Sequence, residues 1–226
     1  MKYTYFGHSC FLVESNGFKL LFDPFITPNP LANGVRMSEI QADLILLSHG
    51  HADHLADVVV LAKQTGAPVV CNWEISTWLE HQGLTNLVAM NHGGSKRFDF
   101  GRVKMTSAIH SSTLPDGTPG GNPGGFVVEF SDGAFYYSGD TALTMDMKLI
   151  PGEFTIQFAV LPIGDNFTMG ASDAAKAAGF VDTNIVVGVH YNTFPPIEIV
   201  KEDAVATFEK AGMTLLLPAI GETIEV

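Results

Sequence analysis

Asp43-Leu44-Ile45-Leu46-Leu47-Ser48 runs without a break into His49-Gly50-His51-Ala52-Asp53-His54. The apolar run has the length of a buried strand. After it, Leu55-Ala56-Asp57-Val58-Val59-Val60-Leu61-Ala62-Lys63-Gln64-Thr65 closes on Gly66, which predicts a helix with a glycine stop. Four potential metal ligands within six residues therefore fall at a strand-to-helix turn. Imidazole nitrogens and a carboxylate oxygen suit zinc, manganese or iron better than calcium. Asp is a favoured helix N-cap, which would account for Asp53 but leaves His49, His51 and His54 unexplained.

Outward from this turn, the composition narrows the options. The chain has 226 residues, 46% hydrophobic content and 23 glycines, enough to bury a sizeable core between many tight turns. A formal charge of -12 argues against nucleic acid or an anionic membrane as partner. No apolar run reaches the roughly 18 residues of a membrane span, and the first residues lack a secretory apolar core. A cytoplasmic protein acting on a small molecule is expected, and a homo-oligomer is compatible with the sequence. Cys10 and Cys71 lie in apolar strand-like runs and read as core residues, not as a disulfide framework.

Upstream, Tyr3 to Phe6, Cys10 to Glu14 and Phe18 to Phe22 read as strands. Asn16-Gly17 between the last two is a type I′ hairpin signal. Asp23 to Gly34 carries three prolines, two asparagines and a glycine, and is a loop that suits either a flap over a cleft or a packed crossing. Downstream, Pro68 to Asn72 is a strand, Glu74 to Gln82 a helix and Leu87 to Met90 a strand. Val103 to His110 reads as a strand. Phe126 to Phe130 and Ala134 to Tyr137 form a hairpin across Asp132-Gly133. Strands at Ala159 to Ile163 and Asn184 to Val189 alternate with helices at Ala171 to Ala178 and Val200 to Lys210. Leu215 to Leu217 and Thr223 to Val226 complete the strands. Hairpins in both parts favour two sheets over one parallel sheet. The Gly/Pro-rich stretch Pro115 to Gly125 has no phosphate-loop spacing.

Three more ligand types stand where apolar runs meet polar turns: His110, Asp140 and His190. His-x-His-x-Asp-His at positions 49 to 54, followed in order by these three, resembles the metallo-β-lactamase superfamily. Gly7-His8-Ser9-Cys10-Phe11, Gly164-Asp165-Asn166-Phe167-Thr168-Met169-Gly170 and His190-Tyr191-Asn192-Thr193-Phe194-Pro195 look like a metal-dependent hydrolase family within it. That family is similar to ascorbate-phosphate lactonases and to phospholipase-D-type enzymes acting on N-acyl phosphatidylethanolamine.

The resemblance implies an αββα four-layer α/β sandwich, two mixed sheets flanked by helices, in one domain over residues 1–226 built of two similar halves. It implies two divalent metal ions, zinc being expected and manganese, iron or nickel compatible. One would be held by His49, His51 and His110, the other by Asp53, His54 and His190, with Asp140 between them. A hydroxide bridging the metals would then cleave a small ester, lactone or phosphodiester, with Asp53 orienting it. His8 would serve as proton donor or as support for a ligand carboxylate. Asp140 stands where several antibiotic-degrading relatives use cysteine, and His54 is kept, which argues against β-lactam hydrolysis. Two other functional classes suit the same ligands: a redox di-iron protein without hydrolase activity, and a non-catalytic module that a metal stabilises.

Overall fold

The computed structural model describes residues 1–226. In chain order the first part holds β1 (Lys2–Gly7), β2 (Cys10–Ser15), β3 (Phe18–Phe22), β4 (Leu44–Leu46), α1 (Ala52–Leu55), α2 (Val58–Thr65), β5 (Val69–Asn72), α3 (Trp73–His81) and β6 (Leu87–Met90). The second holds β7 (Ser95–Phe98), β8 (Gly101–Ser107), β9 (Gly124–Phe130), β10 (Gly133–Tyr137), β11 (Ile156–Pro162), α4 (Ala171–Phe180), β12 (Ile185–Val189), α5 (Lys201–Lys210) and β13 (Thr214–Leu216). The last strand, β14 (Thr223–Glu225), returns to the first sheet, and 3-10 turns form at Met37–Glu39, Met145–Gly152 and Pro195–Ile197.

Two seven-stranded mixed sheets result, ordered β14-β1-β2-β3-β4-β5-β6 and β13-β12-β11-β10-β9-β8-β7. In each, hairpin-linked antiparallel strands lie on one side and helix-linked parallel strands on the other. The short loops permit only antiparallel pairing, whereas parallel neighbours need a crossover helix. Alternation along the strands then builds the layers. On β10 and β11, Phe135, Tyr137, Phe158 and Val160 face the other sheet and pack with Tyr3, Phe11 and Phe22. Their neighbours Tyr136, Ala159 and Leu161 face outward under α4, α5 and the Met145–Gly152 turn. On the far side Leu61 of α2 and Leu79 of α3 cover Ile45 and Val69. The four-layer sandwich expected from the sequence is therefore present. Cys10 and Cys71 lie in that outer core layer, reduced and buried.

Several local expectations change. Asn16 and Gly17 do take the left-handed backbone of a type I′ turn, with φ 52° and 81°. The expected long helix after the histidine turn is instead broken into α1 and α2. The cause is Asp57: its N–H donates to Pro24 O at 3.0 Å, and its carboxylate accepts from Ile26 N at 2.6 Å and Thr27 N at 2.8 Å. Those bonds divert the backbone from the helix and fix the start of the Asp23–Gly34 loop, whose Phe25 and Ile26 are buried. The loop is a packed crossing at its base. β8 stops at Ser107, so His110 stands three residues beyond the strand, not at its end.

The Phe11–Phe22 stack, with centroids 4.5 Å apart and planes 7° apart, lies at the centre of the inter-sheet layer. Phe22→Ala is expected to cost about 3–5 kcal/mol by urea unfolding. Val60→Ala, on the exposed side of α2, is expected to move stability by less than about 0.5 kcal/mol.

Candidate metal centre

Two backbone hydrogen bonds between the sheets bring the strand ends to one place. Gly124 N donates to Ser48 O at 2.9 Å, and His190 N donates to His8 O at 2.9 Å. His8 and His190 each turn the chain with left-handed backbone, φ 56°. Asp140 follows Gly139, whose φ is 61° and where an added Cβ would lie 2.4 Å from Gly124 O. Only glycine allows that approach. The loop carrying His110 is clasped to the one after Asp140: Ile109 N donates to Thr141 Oγ1 at 2.9 Å, and Ala142 N to Ile109 O at 3.1 Å. Residues from five separate segments thus meet at the edge of the sandwich.

Their side chains fall into two sets. The ring nitrogens of His49, His51 and His110 converge within 4.8 Å of one another, and so do donor atoms of His8, Asp53, His54 and His190. Asp140 lies between the sets. Its Oδ2 is 2.9 Å from His190 Nε2, 3.3 Å from His54 Nε2 and 3.7 Å from His110 Nε2. All seven residues singled out as ligands in the sequence are therefore brought together. His8 joins them from behind, its Nε2 3.0 Å from Asp53 Oδ2 and its Nδ1 3.0 Å from Thr193 Oγ1. The ring is buried, with Phe25 and Phe194 edge-on at 5.5 and 5.4 Å.

The donors fit a cation. His49 Nε2 and His51 Nδ1 face each other at 2.9 Å, a contact in which two lone pairs converge unless a proton or cation lies between them. His54 Nε2, His190 Nδ1 and Asp140 Oδ1 are buried without a hydrogen-bond partner. Such atoms are costly to bury unmet, and a divalent ion on imidazole and carboxylate donors removes that cost.

Behind the donors stands a residue the sequence reading overlooked. Asp23 is fully buried and accepts from Ser48 N at 2.8 Å, Ser48 Oγ at 2.5 Å and Tyr137 Oη at 2.6 Å, while His54 Nδ1 lies 2.8 Å away. Its contact fixes the His54 tautomer and aims Nε2 at Asp140. The signal was available: Asp23 directly follows the apolar run Phe18 to Phe22, the placement that singled out Asp140 and His190. Ser48 also holds His49 Nδ1 at 2.9 Å. His81 is exposed at the end of α3, and His92 bonds Pro123 O at 2.7 Å; neither belongs to the centre. Asn192, in the motif that follows His190, accepts from Ile199 N at 2.7 Å.

The electrostatics follow from burial and neighbours. Burial, reinforced by His190 and His54, pushes His8 down to about 4 despite its Asp53 contact. Burial alone would raise Asp53 and Asp140, but His8 beside the first and His190 and His54 beside the second hold both carboxyls below the usual range. His54 is driven the other way: burial disfavours its charged form, yet Asp140 and Asp23 hold it well above an ordinary imidazole. Burial lowers His51 and His110.

Comparison with known proteins agrees with this geometry. Residues 2–190 match the model of the Beta-lactamase superfamily domain, and the chain belongs to that superfamily. Within it, the chain is 49% identical over 226 residues to a UPF0173 metal-dependent hydrolase of Flavobacterium johnsoniae, covering all of both chains. It is a metal-dependent hydrolase. Among solved structures it is similar to Igni18, a metallo hydrolase of Ignicoccus hospitalis, with TM-score 0.88 and 34% identity over 99% of this chain and 97% of that one. An isothiocyanate hydrolase from Delia radicum gut bacteria shares the fold, with TM-score 0.78 and 20% identity over 100% and 99% of the two chains.

Two outcomes are expected. Asp23→Asn turns an amide N–H₂ toward groups that themselves donate, and should weaken metal retention about 10–100-fold in a chelator competition. Because His51 and His110 are held below the usual imidazole range, protons displace metal from them only at lower pH. Metal content after dialysis should therefore persist through the ordinary imidazole range, near 6.5, and fall only at more acid pH.

Proposed function

We propose that the chain is a binuclear hydrolase of a small ester, lactone or phosphodiester, with zinc as its metal. The observation that carries this reading is Asp140 Oδ2, within 3.7 Å of imidazoles from both donor sets. Two cations close together repel strongly unless an anionic oxygen lies between them, and Asp140 supplies one. His49, His51 and His110 would hold one ion, and Asp53, His54 and His190 the other. When bound, such a pair lowers the pKa of water and polarises the electrophile.

The protein's own residues supply positioning. Asp23, locked by Ser48 and Tyr137, keeps His54 in one orientation. Thr193 and Asp53 engage both nitrogens of His8, so its role is to hold the Asp53 carboxylate. With Asp53 ionised, the oxygen not held by His8 can orient a nucleophile as well as bind the ion. A buried His8 with both nitrogens engaged is poorly disposed to reach a leaving group. Nitrogen and oxygen donors without a thiolate also accept manganese or iron, so the metal is a matter for reconstitution.

Reconstitution separately with zinc, manganese and iron, followed by a panel of lactones, esters, thioesters and phosphodiesters, tests the reading. Two metal equivalents per chain and hydrolysis of one class are expected. Asp140→Asn should bind about one equivalent or less and lose roughly 100-fold or more in rate, as misplacement by about 1 Å can cause. Less than one equivalent with no hydrolysis across the panel would overturn it, and iron with an oxygen-linked absorption change would favour the redox class. His8→Phe should weaken metal retention and leave the limbs of the pH–rate profile in place. A lost limb with full metal content would make His8 a proton donor instead.

A further inference from the structure

In the second sheet β11 lies between β10 and β12, and the three strands run parallel. Asp140 follows β10 and His190 follows β12. The segment leaving β11, Gly164-Asp165-Asn166-Phe167-Thr168-Met169-Gly170, therefore emerges between those two residues. It is fastened to both neighbours. A Cβ on Gly164 would lie 2.1 Å from His190 O, and Met169 N donates to Thr141 O at 3.0 Å. Gly164 and Gly170 pair as an antiparallel bridge, and Asp165 N donates to Met169 O at 3.1 Å. A small hairpin thus stands at the rim of the metal centre.

Its tip holds Phe167 away from the core. Asp165 and Asn166 both take left-handed backbone, φ 61° and 55°, which even Asp and Asn seldom adopt in succession. Of the 16 phenylalanines Phe167 alone is exposed, at 55%. Ile109, 63% exposed, belongs to the neighbouring loop, which Thr141 and Ala142 clasp. A single apolar side chain in water needs no explanation. Two on segments fastened to Thr141, next to Asp140, with one carried by strained backbone, make an apolar rim beside the donors.

Charge narrows what that rim receives. None of the 12 Lys and Arg residues lies in the segments that converge on the centre. Lys201 approaches from α5, but its ammonium lies over the Tyr191 ring, 5.5 Å from the centroid, where the aromatic face already engages it. Asp23, Asp53, Asp140 and Asp165 are all present. Set against two divalent ions, these carboxylates leave no surplus positive charge to draw in an anion. We propose that Phe167, with Ile109, binds the apolar group of a neutral ester or lactone. The proposal rests on the hydrolase reading and selects within it, against substrates that carry a carboxylate or phosphate.

Two neutral probes that share one head group test it by binding, without turnover. Fluorine NMR titration of the metal-loaded protein compares methyl and hexyl trifluoromethyl ketones. The hexyl ketone should bind about ten- to twentyfold more tightly, the worth of two methylenes covered. Phe167→Ala should cut that ratio about three- to tenfold, and Phe167→Leu should keep most of it. As Phe167 is exposed, its variants should keep the wild-type urea midpoint; Ile109→Ala is the second variant should they not. In turnover, nitrophenyl hexanoate should be preferred over the nitrophenyl monoester of adipic acid, which ends in a carboxylate, chiefly through KM. Equal binding of the two ketones, or a ratio that both alanine variants leave in place, would overturn the proposal. So would preference for the adipate ester or for bis(nitrophenyl) phosphate. Each of those outcomes leaves the hydrolase reading standing, whereas loss of metal together with all turnover removes both.

Discussion

Asp23 carries the burden of holding the centre together, because it is the one fully buried carboxylate that ties the two sheets and the histidine turn at once. It emerges from β3, accepts from Ser48 at the end of β4, and receives the Tyr137 hydroxyl from β10 in the opposite sheet. A carboxylate removed from water is tolerable only when donors surround it, and these supply what the solvent no longer can. His54, pressed between Asp23 and Asp140, inherits its orientation from that arrangement. The donors of the centre are thus fixed by the same contacts that close the sandwich.

The inter-sheet aromatic layer and the centre are continuous, since Phe22 precedes Asp23 and Tyr137 reaches from the aromatic cluster to its carboxylate. The packed layer therefore extends to the strand ends, where misplacement of a ligand is most damaging. The crossing from Asp23 to Gly34 shares in this, because Asp57 fixes its first turn and Phe25 leans on His8.

Much of this was legible in the sequence, for particular reasons. The histidine turn declared itself because four ligands fell between a period-less apolar run and a helical one. His110, Asp140 and His190 were visible as polar residues following apolar stretches. Asp23 shared that pattern yet was absorbed into a loop reading, because the prolines after it advertise a turn and nothing local records that Tyr137 and His54 will face it. The break after α1 was equally hidden: Asp57 leaves the helix for Pro24, Ile26 and Thr27, a long-range choice that helical periodicity cannot register. The burial of His8 depends on residues far along the chain, Thr193 and Phe194, and so no local pattern announces it.

The return of β14 to pair with β1 in register Lys2↔Glu225, Tyr3↔Ile224 and Thr4↔Thr223 has a bearing on how the polypeptide is made. Synthesis lays down β1 early and its outer neighbour late, so a row of unpaired amides and carbonyls stays open while the rest of the sandwich emerges. An open strand edge is a template for other strands. Products that stop short of residue 223 keep it, and self-association through that edge is the hazard this topology builds into its own translation.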